Sequence, residues 1–402
     1  MSNLKEVIIS LTNRCNSRCR MCDIPKNKLE ELDTPAWKQV IGDVGLAGAQ
    51  TIVFSGGEPL LRGDIFELIS FVKDNRMNAC LTSNGYLIDE ETARRLSQSG
   101  IDVVNISMEG PKKIHDYLRG REAFDRACFA LENLGKYKIE ATIATMVSRY
   151  NYKYLVYIVD SAKKYGATTI KFQPFSKIFI SNKLQENNFL VNEREMNRVE
   201  RVIGEVISLC NNYGIATNPV GYLEKIPSYL AKKYISQNGA CNALRASCPI
   251  NSKGEIYPCW VLADKDNLIG NVKEEGFLNL WDSPRHNSII KKIKKESCQG
   301  CMMSCYDENF GKDNLEKRLN LNIKKLKREG LREYVIHLIK KWQKRFKFYA
   351  SYRGNFKKII NRLRKSFKKR IDFKRQVNKD EIKKLLEEIS IAKQTLKKEL
   401  DS

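Results

Sequence analysis

Over the first 175 residues, short β-branched runs alternate with longer stretches whose apolar residues recur at helical spacing. The runs are EVIISLT (6–12), TIVFSGGEP (51–59), NACLTSNG (78–85), DVVNISMEG (102–110), EATIATMV (140–147) and TIKFQPF (169–175). Helical patterns begin near Thr34, Asp64, Asp89, Glu122 and Tyr152. Strands that return through a helix pair in parallel, so the pattern predicts an α/β fold around a parallel sheet. Six such units fit an incomplete barrel or an open doubly wound sheet. Motif residues collect at the C-terminal ends of the runs, where a barrel carries its chemistry, which favours the barrel.

Residues 176–235 read as helices and connectors. Residues 241–305 are cysteine-rich, with turn residues and only brief strand signals such as GEIYPCWVL. From about Lys312 the pattern becomes helical, basic and aromatic, and no internal repeat of solenoid period is present. The expected division is a core with helical connector over 1–235, a small cysteine-rich α+β domain over 236–311 and a basic helical tail over 312–402.

Charge sharpens this division. The net charge is +24 over 402 residues, but residues 312–402 hold 30 Lys and Arg against 11 Asp and Glu, while residues 1–311 hold 41 against 36. The basicity belongs to the tail. No stretch approaches the roughly 18 uninterrupted apolar residues of a membrane span, and MSNLKEVIIS lacks the basic and apolar regions of a secretory signal. A cytoplasmic protein is expected, and in that compartment twelve cysteines argue for metal or redox sites rather than disulfides.

Three cysteines, Cys15, Cys19 and Cys22, fall in SLTNRCNSRCRMCDIP, directly after the first strand. Soft thiolates favour zinc or iron–sulfur clusters. A closed zinc site takes four ligands. Three thiols on a cubane 4Fe–4S cluster leave one iron open to chelate a substrate or cofactor. A structural zinc loop and loose thiols are the alternative readings.

The spacing C-x3-C-x2-C in CNSRCRMC, followed about thirty residues later by GGEP, resembles the radical S-adenosylmethionine (radical SAM) superfamily. The resemblance covers residues 5–175 and implies a partial (β/α)6 TIM-like barrel. It further implies that the open iron chelates the methionine moiety of SAM, and that one electron releases a 5′-deoxyadenosyl radical that abstracts hydrogen from substrate. By the same resemblance Gly56, Gly57, Glu58 and Pro59 hold the cofactor's amino group, while Asn84 and Gly85, Ser107 and Asn151 lie near its ribose and carboxylate. Glu109 stands where relatives often carry Asp, and Met21 replaces a commoner aromatic residue.

Downstream, Cys241, Cys248 and Cys259, with Gly254 five residues before Cys259, precede CQGCMMSC with Cys298, Cys301 and Cys305. This pattern resembles the SPASM and shorter twitch domains, which bind auxiliary 4Fe–4S clusters. Two fully ligated cubanes need eight thiols and six are here, so one cluster on Cys241, Cys259, Cys298 and Cys301 is expected. Cys248 and Cys305 are candidates to substitute or to hold a second, incomplete cluster, and a four-cysteine zinc ribbon is the alternative. Some SPASM oxidases place an acidic proton acceptor directly after the cysteine matching Cys259; here that residue is Trp260, and the catalytic base is unassigned. Cys80, Cys128 and Cys210 read as buried structural thiols. His115, His286 and His337 form no ligand spacing.

In the tail, Leu331, Tyr334, Val335, Leu338, Ile339, Trp342, Phe346 and Tyr349 share one helical face. Phe356, Ile359, Ile360, Leu363 and Phe367 form a second, amid eight basic residues between Lys357 and Arg370. Aromatics opposite cations suit an anionic membrane surface, and packing on the enzyme body is the competing reading. Ile382, Leu385, Leu386, Ile389, Ala392 and Leu396 resemble a short packing helix or coiled-coil stretch.

The expectation is therefore a radical SAM oxidoreductase that modifies a peptide, sugar or alditol, or lipid-linked substrate. Its cofactors are SAM, a three-cysteine 4Fe–4S cluster and an auxiliary 4Fe–4S cluster, and its partners an external electron donor and, through 331–370, the inner face of a membrane. A zinc-binding interaction protein and a radical SAM enzyme acting on RNA through its tail are the rivals; no recognised nucleic-acid module supports the latter.

Overall fold

The structure, a computed structural model, describes residues 4–180, 186–232, 243, 245–295 and 301–303. Cys241, Cys298, Cys305, His337 and the whole tail from 312 lie outside the described residues.

Six parallel strands form in chain order: β1 (Glu6–Thr12), β2 (Thr51–Gly56), β3 (Asn78–Ser83), β4 (Val103–Ser107), β5 (Glu140–Val147) and β6 (Thr169–Pro174). Each lies beside its predecessor. The returning helices are α1 (Thr34–Leu46), α2 (Ile65–Asp74), α3 (Glu90–Ser99), α4 (Lys112–Arg119), α5 (Ala123–Lys136) and α6 (Leu155–Tyr165). Local chemistry sets their ends. Asp33 and Asp89 accept from the backbone N–H groups of Ala36 and Thr92, and Gly100 and Gly166 close α3 and α6 in the left-handed region.

Alternation along the strands separates two faces. Val7 and Ile9 of β1 stand in register with Ile52 and Phe54 of β2, then with Ala79 and Leu81 of β3, and these and Leu11 are all buried. Each large apolar side chain so buried is worth roughly 1.5–3 kcal/mol. The other face carries Glu6, Ser10, Thr82, Asn105, Ser107, Lys171 and Gln173, far too polar to pack under helices. This is the lumen face of a partial (β/α)6 barrel. Its charges interact across the sheet: Glu6, at the base of β1, is raised above the usual carboxylate range by burial and drawn back down by Lys171 on β6.

The connector contains a 21-residue helix, Glu193–Tyr213, opened by a capping box between Asn192 and Glu195. The chain then returns to the core sheet. Strand β7 (Ser247–Ile250) pairs in parallel with β1 on its free edge, and β8 (Glu255–Ile256) and β9 (Gly270–Asn271) continue antiparallel. The sheet order is β6-β5-β4-β3-β2-β1-β7-β8-β9. The strands of the cysteine-rich region expected from 236 extend the core sheet without a break. An unpaired β1 edge would leave a row of backbone donors and acceptors open, and β7 closes it.

Candidate iron–sulfur and SAM-binding site

The loop after β1 alternates like a strand. Arg14, Asn16, Arg18 and Arg20 are exposed, while Cys15 and Cys19 are half-buried and Ser17 is buried between them. Three backbone ties hold the loop. Arg20 N–H donates to the Leu118 carbonyl (2.8 Å), Asp23 N–H to the Phe179 carbonyl (2.7 Å) and Cys22 N–H to the Cys19 carbonyl (3.2 Å). The Arg20 guanidinium also lies 4.2 Å over the Tyr117 ring, which holds the outward cation away from the thiols.

Glycines bring a second segment against this loop. Gly57 N–H donates to the Thr12 carbonyl (2.7 Å) and Glu58 N–H to the Arg14 carbonyl (2.8 Å). A Cβ on Gly57 would overlap the Arg14 carbonyl, and one on Gly56, at φ +124°, would overlap that of Thr12. The two glycines therefore fix how closely GGEP approaches the residue before Cys15. Glu58 is fully buried; its carboxylate accepts from Ser83 Oγ (3.0 Å), the Asn84 N–H (2.8 Å) and the Leu60 N–H (3.3 Å). Burial outweighs these donors and pushes the carboxyl up to about 7. Pro59 opens the short 3₁₀ turn that follows. Asn84 completes the connection, its Nδ2 standing 2.7 Å from Asn16 Oδ1 and 3.7 Å from Cys15 Sγ.

Ser107 ends β4 on the lumen face, near the thiol loop's level in the sheet. Asn151 is placed differently. It is fully buried, its Oδ1 accepts from Ser148 N–H and Oγ, and its Nδ2 donates to the carbonyls of Glu109 and Met146. All four bonding positions are taken by protein. Sequence reasoning passed over Arg119, at the end of α4. Its Nε and Nη2 donate to Glu109 Oε1 at 2.7 and 2.6 Å, and its Nη1 lies 3.9 Å from Cys19 Sγ. His115, also on α4, accepts the Glu109 N–H at Nδ1 (2.9 Å), and burial drops it to about 3, so it is neutral.

Burial raises the thiols of Cys15 and Cys22, the latter to about 11. A bound metal must then displace their protons, as thiolate sites do. Among the described residues no three His, Cys, Asp or Glu side chains converge on a single ion. A 4Fe–4S cubane asks for something else, one thiolate per iron, and Cys15 and Cys19 on the inward side of the alternating stretch, with Cys22 in the turn that follows, fit that demand on a loop braced by GGEP.

Cys259 and Cys301 are buried together with Met303, and Ile178, Phe179, Ala243, Trp260, Val261 and Leu262 pack against them. This pair fits part of an auxiliary cluster site. Cys248 does not join it. It lies in β7 opposite Val7, wholly inside the main core, where burial pushes its thiol far above the ordinary range. As a candidate ligand it is corrected to a core thiol. Gln173 Nε2, at the top of β6, lies 3.4 Å from Met303 Sδ, and Tyr222 donates to the Met302 carbonyl. Phe179 therefore links the two regions: its carbonyl accepts the N–H of Asp23, next to Cys22, and its side chain packs against the group that holds Cys259 and Cys301.

A profile of the Radical SAM superfamily matches residues 9–162, and one of the SPASM iron–sulfur cluster-binding domain matches residues 241–302. The AdoMet-dependent heme synthase of Methanosarcina barkeri is 26% identical over 340 residues, covering 76% of this chain and 93% of that protein. The mycofactocin maturase MftC of Mycolicibacterium smegmatis is 26% identical over 304 residues, 73% of this chain and 74% of that protein. The Fe-coproporphyrin III synthase of M. barkeri is 34% identical over 158 residues, and there the match spans only 40% of the relative's length. Among solved structures, Streptococcus suis SuiB bound to S-adenosylmethionine superposes with a TM-score of 0.59 at 18% identity, over 72% of this chain and 68% of that one. The enzyme anSMEcpe, with bound AdoMet and a peptide, gives 0.59 at 21% identity over 74% and 88%. Residues 9–162 thus form a domain of the radical SAM superfamily and residues 241–302 a SPASM-type iron–sulfur region, the two parts of an enzyme whose cofactors are 4Fe–4S clusters and S-adenosylmethionine.

Proposed function

We propose that Cys15, Cys19 and Cys22 hold the SAM-binding 4Fe–4S cluster, and that the enzyme uses SAM to abstract hydrogen from a peptide substrate and oxidise it. Cys241, Cys259, Cys298 and Cys301 hold the auxiliary cluster in this reading. The observation that carries it is the loop at the C-terminal edge of the sheet, which sets Cys15 and Cys19 on the inward side of an alternating stretch and its arginines outward, with Cys22 following in a turn closed on the Cys19 carbonyl. With cluster and SAM bound, the site supplies one-electron cleavage of the cofactor to methionine and a 5′-deoxyadenosyl radical.

The chain's own residues position and protect. Gly56 and Gly57 set the depth of the cofactor segment against the thiol loop, and Glu58 and Asn84 lock that segment to the end of β3. Asn151 braces the β4 and β5 ends, which leaves Ser107, at the end of β4, rather than Asn151 for a cofactor contact. Met21, Phe179 and Trp260 bring apolar surface to the two thiol sets and limit water. The peptide reading is supported by the maturase relative and by the SuiB structure bound to the precursor peptide SuiA. The heme synthase relative, covered over 93% of its length, supports a tetrapyrrole as the second reading.

Anaerobically reconstituted protein should be given SAM, a strong reductant and either a short peptide encoded beside its gene or an iron coproporphyrin. The expected result is 5′-deoxyadenosine matched by a peptide lighter by two hydrogens. Turnover of the tetrapyrrole with none of the peptide would replace the first reading by the second.

A further inference from the structure

Among the described residues, the ion pair of Glu109 and Arg119 has no evident packing reason to exist. Glu109 is fully buried and Arg119 nearly so, its side chain 18% exposed. A buried pair costs several kcal/mol of desolvation per ion, and replacing it by apolar residues is often neutral or stabilising. Its geometry is lopsided. Arg119 spends Nε and Nη2 on one oxygen of Glu109, and the other oxygen accepts the Met146 N–H at 2.8 Å. The third nitrogen, Nη1, is left facing Cys19 Sγ at 3.9 Å. A second tie runs through Ser17, whose Oγ donates to the Arg119 carbonyl (2.7 Å) and lies 3.2 Å from the same sulfur. Glu109 thus orients the guanidinium, and Ser17 fixes the thiol's distance from the end of α4 that carries it.

We propose that Arg119, oriented by Glu109, is a positioning residue that sets the reduction potential of the SAM-binding cluster through Cys19. It rests on the assignment of Cys15, Cys19 and Cys22 to that cluster. Adding one electron from an external donor makes the cluster more negative by one charge. A fixed cation beside a ligating sulfur, in a site shielded from water, stabilises the reduced form over the oxidised one. Glu109 opposes this from farther away. It keeps the pair neutral, so the guanidinium is affordable in the core, and its removal should strengthen the effect of Arg119. Residues around a metal's direct ligands commonly tune it in this way.

The test is a redox titration of the reconstituted enzyme followed by electron paramagnetic resonance, with iron and sulfide measured on each sample. Arg119→Met should lower the ratio of reduced to oxidised SAM-binding cluster about tenfold at a fixed solution potential, or about 59 mV for one electron. Arg119→Lys should recover most of that loss. Glu109→Gln should move the potential the opposite way, and Arg119→Met with Glu109→Gln should fall between. If Arg119→Met fails to hold its cluster, Glu109→Gln decides, because it keeps both the cation and its hydrogen-bonding partner. Variants that retain iron with an unshifted potential overturn the proposal and leave the pair a structural brace. A wild-type signal that SAM does not perturb would instead overturn the cluster assignment.

Discussion

Glu58 shows how far one residue's role depends on where its atoms end. Sequence placed it at the cofactor's amino group; the structure spends its carboxylate on Ser83, Asn84 and Leu60. An acid raised from its ordinary 4.5 to about 7 by burial binds its proton more tightly folded than unfolded. Its contribution is present in full below 4.5 and is lost as pH rises through about 7. At about 1.4 kcal/mol per unit the swing is on the order of 3 kcal/mol. Urea unfolding of the cluster-free protein should therefore show stability falling between pH 5 and 8, and Glu58→Gln should remove about that share of the fall. An unchanged slope would mean the carboxyl is ionised in the fold. Gly57→Ala, which forces a methyl into the Arg14 carbonyl, should displace the Cys15 loop. Iron should drop from about eight to about four atoms per chain while far-ultraviolet circular dichroism is retained. The glycines and cysteines were legible because spacing alone carries them. Arg119 was not, since nothing in HDYLRG marks an arginine aimed back at a sulfur one hundred residues earlier.

At the scale of elements, the six strands and their helices follow from periodicity, and β5 begins and ends where the pattern does. Helix α4 is shorter, at eight residues, and was hidden behind the SMEG turn. Strand β7 was hidden for another reason. Its sequence, SCPI, reads as part of a cysteine motif, and only the open edge of β1 makes it a strand. That pairing separates Cys248 from Cys259. Cys248→Ala should leave iron content unchanged and lower stability by about 1 kcal/mol, the ordinary cost of a small core truncation. Cys259→Ala should lose about four irons with the first cluster intact. Loss of iron in both variants would return Cys248 to the ligand set.

For the whole molecule, the tail is the part that composition describes and the described residues do not reach. No described helix is long and apolar enough to cross a membrane. If residues 331–370 lie on an anionic bilayer, their cations contribute roughly 1 kcal/mol each near the surface, and the attraction is screened within about 8 Å at physiological ionic strength. Full-length protein should co-sediment with anionic vesicles at low salt and detach at high salt. Protein truncated after Gly311 should not bind, yet should keep its iron, because the last cysteine is Cys305. Aggregation or iron loss on truncation would show instead that the tail packs on the body.

The central claim is that three thiols on the loop after β1 make the radical. It is tested most directly by quantifying 5′-deoxyadenosine from anaerobically reconstituted protein with SAM and a strong reductant, without substrate. Wild type should release it slowly, Cys298→Ala should retain some release, and Cys19→Ala should release none. Equal release from wild type and Cys19→Ala would contradict the account.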